Sequence, residues 1–179
     1  MLDKKTGVDF PFFQSQVNDL FGDPTEAEFI KGYLTTMDFS EFAGPFAHVN
    51  GYDGDPWRHR IYGNWIMEAP LRRALGLLVA RGLARELKTF DGCVNIRRMK
   101  GGSGYSMHSW GLAVDFNAGS NPFGGPVRFS KGFIKCFAES GFEAGALWNT
   151  PDGMHFQIVF TSSKWLTSDN PLRPIPWVA

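Results

Sequence analysis

The sequence predicts an α+β domain. Two helical patterns and three short strands of alternating polarity carry that expectation. Met67, Leu71, Ala74, Leu75, Leu78, Val79 and Leu83 recur with a period near 3.6 and make one apolar stripe. Ser130 stands where it can cap a second helix, with Phe133, Ile134 and Phe137 on its apolar side and Gly141 beyond its end. Cys93–Arg97, Leu112–Asn117 and His155–Phe160 alternate apolar and polar residues, as half-buried strands do.

The 179 residues read as one domain, long enough to bury a sizeable core. Its parts are an N-terminal helix and loop-rich region (1–65), a core that holds the chemistry (66–160) and an irregular tail (161–179). Seventeen phenylalanines point to a Phe-rich interior rather than disorder. Eighteen basic residues balance eighteen acidic ones, which argues against a nucleic-acid-binding stripe and fits an uncharged or zwitterionic polymer. Cys93 and Cys136 have no C-x-x-C spacing and read as buried free thiols. No apolar stretch follows Lys4 and Lys5, and no run of about 18 apolar residues occurs. The expectation is a monomer made in the cytoplasm, without a signal peptide or a membrane span.

In chain order, Phe10–Phe21 has helical spacing and is stopped by Gly22-Asp23-Pro24. Glu28–Phe39 is ambiguous; Gly32 and two threonines favour an extended segment. Gly44–Gly63 reads as a long loop, with a strand around Arg60–Tyr62. Pro70 falls in the first turn of the following helix, where a missing N–H is tolerated. Arg72, Arg73, Arg81, Arg85 and Glu86 take its wet side, a solvated face rather than a phosphate site. Gly92 opens the first core strand, and Lys100–Gly104 is a flexible loop leading to the second. Phe142–Trp148 is a short strand or turn, and the tail from Asn170 is irregular and Pro-rich.

The chemistry follows from the strand period. Residues two apart share a face. If the three strands share a sheet, one face is core and the other collects Asn95, Arg97, Asp115, Asn117, His155 and Gln157 as a polar cleft floor. His108 lies seven residues before Asp115, an odd spacing, so it must come from the preceding loop, with Gly111 letting the chain turn. Two imidazoles and a carboxylate (His108, Asp115, His155) are a normal catalytic zinc set that leaves one position for water. Asp152, in the turn Pro151-Asp152-Gly153, can aim back as general base. Arg97 offers a cationic fork to a substrate carboxylate or carbonyl. Ser106 can donate to the same group, and Asn95 lies on the same face. Singly, each has a plainer reading. His108 fits a packed loop histidine, Asp152 a turn residue, Arg97 half of a salt bridge and Trp110 either a cleft wall or packing. Taken together the plainer readings would need unrelated accidents to fall on one sheet face. His48 and His59 read as surface or rim residues of the long loop.

Ser106-Met107-His108, Gly111-Leu112-Ala113-Val114-Asp115 and Asp152-Gly153-Met154-His155-Phe156 together resemble the zinc D-Ala-D-Ala carboxypeptidase/L-alanyl-D-glutamate endopeptidase family, the VanY-like, M15-type peptidases. Asn95-Ile96-Arg97 resembles the N-x-R strand of its phage-type branch. The resemblance runs from about Asp91 to Phe160. It implies a Hedgehog/DD-peptidase fold: a small antiparallel sheet with helices on one face and a zinc cleft on the other. It implies one zinc ion on His108, Asp115 and His155, Asp152 as base, and Arg97 with Ser106 near the substrate. The implied activity is hydrolysis of an amide bond in the peptidoglycan stem peptide. An Asp rather than a Glu as base looks more like the phage and prophage endolysin branch, whose members reach the wall after release. The rival expectation is a non-catalytic phage structural or wall-binding module that keeps the metal site.

Overall fold

The computed structural model describes Leu2–Asp3, Val8–Asp9, residues 14–99 and residues 102–158. The expected start of the first helix at Phe10, the loop residues Lys100 and Gly101, the end of the last strand and the Pro-rich tail lie outside the described residues. Chain order is β1 (Leu2–Asp3), β2 (Val8–Asp9), α1 (Gln14–Phe21), α2 (Ala27–Tyr33), β3 (Leu34–Asp38), β4 (Asn50–Gly51), β5 (Arg60–Asn64), α3 (Glu68–Ala80), β6 (Thr89–Gly92), β7 (Ala113–Phe116), α4 (Lys131–Ala138), β8 (Phe142–Ala144) and β9 (His155–Ile158).

The main sheet has the order β4-β6-β7-β9-β8. It is mixed rather than wholly antiparallel, because β4 runs parallel to β6 while the other pairs are antiparallel. A separate antiparallel pair, β3 with β5, lies beside the turn that precedes β7, and Asn64 N–H donates to the Gly111 carbonyl at 3.1 Å.

The strand period sorts β7 and β9 as expected. Val114, Phe116, Phe156 and Ile158 enter the core, where Phe137 of α4 lies 4.2 Å from Phe156 and 5.7 Å from Phe116 between ring centroids. Phe129 and Phe133 extend the cluster, stacked at 4.1 Å. Each fully buried Phe contributes about 1.5–3 kcal/mol through lost water contact, so the Phe-rich stretch around α4 anchors the sheet from one side. Ser130 caps α4 by accepting from Phe133 N–H at 3.1 Å. Most of the α3 stripe packs as its period requires, with Met67 at its N-cap and Leu71, Ala74, Leu75 and Leu78 buried, but Val79 is 37% exposed and Leu83 lies beyond the helix end at Ala80. Its wet face is ion-paired, through Arg72 with Glu68 and Arg81 with Glu139.

Two further expectations need correction. Ala27–Tyr33 is helical and only Leu34–Asp38 is extended. Phe29 is buried in the core and stacks on Tyr33 at 5.5 Å across one helical turn, and burying that face offsets the penalty of about 1 kcal/mol at Gly32. The strand expected at Cys93–Arg97 is displaced. The ladder ends at Gly92, where φ is +138° and the register with β7 shifts. Residues 93–97 leave the sheet, Ile96 is 45% exposed rather than in the core, and the buried residue is Cys93. Both cysteines are buried and free. No helix among the described residues is long and apolar enough to cross a membrane.

Candidate metal centre

Three elements build the site. β7 and β9 pair so that Asp115 stands directly opposite His155, which puts their side chains side by side on the face away from the Phe cluster. His108 arrives from a single 3-10 turn, Met107–Trp110. The N-cap of that turn is Ser106, whose hydroxyl oxygen accepts from His108 N–H at 3.4 Å. Gly111 ends the turn with φ +63°, the left-handed conformation that lets the chain swing into β7. A side chain at Gly111 would also collide with the backbone of β5, since a Cβ would sit 2.7 Å from Asn64 N.

Segment 93–97 braces this turn instead of extending the sheet. Asn95 N–H donates to the His108 carbonyl, Ser106 N–H to the Arg97 carbonyl, and Arg97 N–H to the Ser109 hydroxyl. The Cys93 carbonyl lies 2.6 Å from His108 Nδ1.

The three side chains converge. His108 Nε2 is 3.2 Å from Asp115 Oδ1 and 3.1 Å from His155 Nδ1, and His155 Nδ1 is 3.3 Å from the same carboxylate oxygen. The outer nitrogens decide what those inner atoms are. A carbonyl only accepts, so His108 carries its proton on Nδ1 toward Cys93 and turns a lone pair inward. His155 Nε2 donates to Gln157 Oε1 at 3.0 Å, so its Nδ1 also turns a lone pair inward. With neutral imidazoles, three acceptors face one another at 3.1–3.3 Å with no donor between them. A cation resolves that repulsion. A tetrahedral ion with ligand bonds of about 2.0–2.1 Å has its ligands roughly 3.3–3.4 Å apart, so the triangle already has the size zinc needs. His108, Asp115 and His155 are thus able to chelate a metal ion.

Without a cation, protonated imidazoles can take its place: burial alone would raise the Asp115 carboxyl, but His108 and His155, when they donate to it and carry charge, outweigh burial and hold the group well below the usual carboxylate range. Burial would lower His155, yet Asp115, with help from Gln157, raises it. Asp152 behaves differently. Burial pushes its carboxyl up, against the lowering charges of His155, His108 and Arg97. Its Oδ1 is buried and has no hydrogen-bond donor among the described residues. Its backbone is fixed by Asp152 N–H donating to Gly145 O at 2.9 Å and Asp152 O accepting from His155 N–H at 3.1 Å.

A cleft of about 400 Å³ opens beside the triad, lined by Tyr52, Tyr62, Asn95 and Arg97 together with His108 and Asp115. Arg97 and Asn95 therefore reach the cleft, but from a bracing segment rather than a strand. Tyr52, 79% exposed, and Tyr62 were not singled out from sequence. Both come from the region read as a long loop, whose Tyr-Asp-Gly and Tyr-Gly contexts gave no ligand signal. Trp110 is not a cleft wall. It is fully buried (0% exposed), and its Nε1–H donates to the Gly22 carbonyl at 2.8 Å. Ser106 is nearly buried and acts as a cap. Asn117 is no part of a cleft floor either; its amide oxygen accepts from Lys88 and Thr89 N–H and its nitrogen donates to Glu86 O. His48 Nε2 bonds the Leu87 carbonyl, and His59 lies against Trp57, so neither is a free surface residue.

No curated protein and no solved structure matches the chain closely enough to count. Residues 100–158 match the family model described as D-alanyl-D-alanine carboxypeptidase, of the M15 peptidases. That segment, about a third of the chain, holds His108, Asp115, Asp152 and His155. Over this segment the chain is similar to that family, and the His-His-Asp set able to hold a metal ion lies within the matched residues.

Proposed function

We propose that the chain is a zinc-dependent peptidoglycan peptidase that hydrolyses an amide bond of the stem peptide, of the D-Ala-D-Ala carboxypeptidase or L-Ala-D-Glu endopeptidase type. The observation that carries this reading is the triangle of three inward-facing acceptors within the M15 segment. A zinc ion held there would supply Lewis-acid activation of a water and of the scissile carbonyl. The chain's own residues do the rest. Asp152, with an unpartnered buried oxygen and a raised pKa, takes the proton of the attacking water and returns it to the leaving amine. Arg97, exposed in the cleft beside the triad, binds a substrate carboxylate or the oxygen on which charge develops. Asn95 and the two tyrosines line the path along which the peptide lies.

We also assign the chain to the Hedgehog/DD-peptidase fold and to the phage or prophage endolysin-like branch, acting on the wall after release. Asp at position 152, where a Glu is the commoner base, supports the branch. The test is digestion of purified sacculi with zinc-loaded protein, with and without chelator, read by mass spectrometry of the muropeptides. Loss of a terminal D-Ala identifies a carboxypeptidase, and release of peptides beginning at D-Glu identifies an endopeptidase. Intact sacculi with fully zinc-loaded protein refute the proposal and leave a wall-binding module.

A further inference from the structure

The imidazole of His155 is useful to a metal only in one of its two neutral forms. Its Nδ1 must be bare, so its proton must sit on Nε2. The acceptor for that proton is Gln157 Oε1, two residues along the same strand. A carboxamide cannot enforce this alone, because a half-turn of the amide would present NH2 instead of oxygen. What stops the half-turn is Glu143. Its Oε2 accepts from Gln157 Nε2 at 3.1 Å, directly across the β8–β9 pairing, where Glu143 and Gln157 are register partners. Its other oxygen, Oε1, accepts from Trp148 Nε1–H at 2.9 Å, and an indole N–H can only donate. Both oxygens of Glu143 are thus held by donors. The Trp148 ring in turn stands 5.3 Å from the His155 ring.

We propose that Glu143 is a positioning residue for the metal centre: by orienting the Gln157 amide it fixes His155 as the Nε2–H tautomer and keeps Nδ1 open to the ion. Hydrogen-bond polarity runs one way along the chain, with His155 donating to Gln157, and Gln157 and Trp148 both donating to Glu143. His108 has a simpler arrangement, since the Cys93 carbonyl cannot reverse. The centre therefore has one ligand fixed by backbone and one fixed by a side-chain relay, and only the second can be rewired by substitution. The proposal rests on the metal reading of the triad.

The test measures two things on the full chain, zinc affinity by chelator competition and the His155 tautomer by ¹⁵N NMR of the zinc-free protein. Gln157→Leu removes the acceptor. Glu143→Gln makes the amide at position 143 choose between losing the Trp148 bond and flipping Gln157. Each should lower zinc affinity about 10–100-fold, the usual effect of losing the partner of a ligating histidine. Each should also let the Nδ1–H form of His155 appear. The reversed pair E143Q/Q157E restores an acceptor to His155 and a donor behind it, and should recover the affinity and the single tautomer. Should Gln157→Leu fail to fold, Glu143→Gln and the reversed pair still decide. Wild-type affinity with an unchanged tautomer in Glu143→Gln, or no recovery in the reversed pair, overturns the proposal. Absence of zinc binding by the wild type would refute the metal reading instead, and the tautomer readout, which needs no zinc, keeps the two failures apart.

Discussion

Gly111→Ala should be among the most damaging small substitutions in this protein, and its cost separates into parts. The residue sits at φ +63°, where an L side chain costs about 1–2 kcal/mol. In addition, an added Cβ would lie 2.7 Å from Asn64 N, 2.9 Å from Leu34 Cδ2 and 3.2 Å from Gly63 C. The leucine methyl can move, but the two backbone atoms of β5 cannot yield without moving the strand. Retreat of Gly111 would lengthen two bonds that tie the His108 turn to Asn64. These are Asn64 N–H to Gly111 O at 3.1 Å and Asn64 Nδ2 to Trp110 O at 3.2 Å. At about 0.5–1.5 kcal/mol each, their loss brings the total to roughly 2–5 kcal/mol. Gly82→Ala is the control. Gly82 has φ +70° with nothing within 4 Å of an added Cβ, so it carries the conformational part alone. Urea unfolding of the zinc-free proteins measures both. Gly111→Ala should lose clearly more stability than Gly82→Ala, and its zinc affinity should fall because His108 moves with the turn. Equal losses at the two positions would refute the argument that close approach to β5, rather than backbone conformation, fixes this turn.

Asp152→Asn should leave zinc binding intact and reduce muropeptide release by about 10²–10⁴-fold, the range for loss of a general base; zinc content and product yield are measured on one preparation. Because the Asp152 pKa is raised in the folded protein, ionising it opposes folding as pH climbs from the unfolded value through the folded one. Asp152→Asn should therefore stabilise the zinc-free protein at neutral pH, and the gain should vanish below about pH 4, near the unfolded carboxylate value, in melting curves taken across that range. Arg97→Ala, at an exposed position, should change stability by no more than about 0.5 kcal/mol while lowering kcat/KM, and unaltered kinetics would remove Arg97 from the substrate path. Trp110→Phe should cost about 1 kcal/mol through the lost bond to Gly22 O and leave KM unchanged, as a packed rather than a cleft residue requires.

What the sequence made legible is what the backbone period dictates. Asp115 and His155 share a face because each alternates with core residues on its own strand and the two stand opposite each other in the β7–β9 pairing, and the odd spacing from His108 to Asp115 required a turn that Gly111 provides. The core face of β7 and β9 was readable for the same reason. The misplacements have another origin. Cys93–Arg97 alternates in polarity like a strand, yet its partners are the backbone of the 3-10 turn and the Ser109 hydroxyl, and alternation cannot tell these from a ladder. Trp110 sits two residues from a ligand and invites a cleft role, but its indole N–H is satisfied by a carbonyl 88 residues away. Tyr52 and Tyr62 reach the cleft only because β4 and β5 bring the long loop alongside β6 and the His108 turn.

The ligands and their supports differ in how far sequence can find them. A ligand must be His, Asp, Glu or Cys, so its chemistry narrows the search. A supporting group need only accept or donate one proton, and here those groups are a cysteine's carbonyl, a glutamine and a glutamate on a different strand. Nothing in their residue types marks them. Yet they determine whether the three groups at 3.1–3.3 Å share protons among themselves or all turn lone pairs inward. With both outer nitrogens protonated and held, the inner face has no proton to share at neutral imidazole charge. On the proposed metal reading, the affinity of the centre depends on Cys93, Gln157 and Glu143 as well as on the triad they orient.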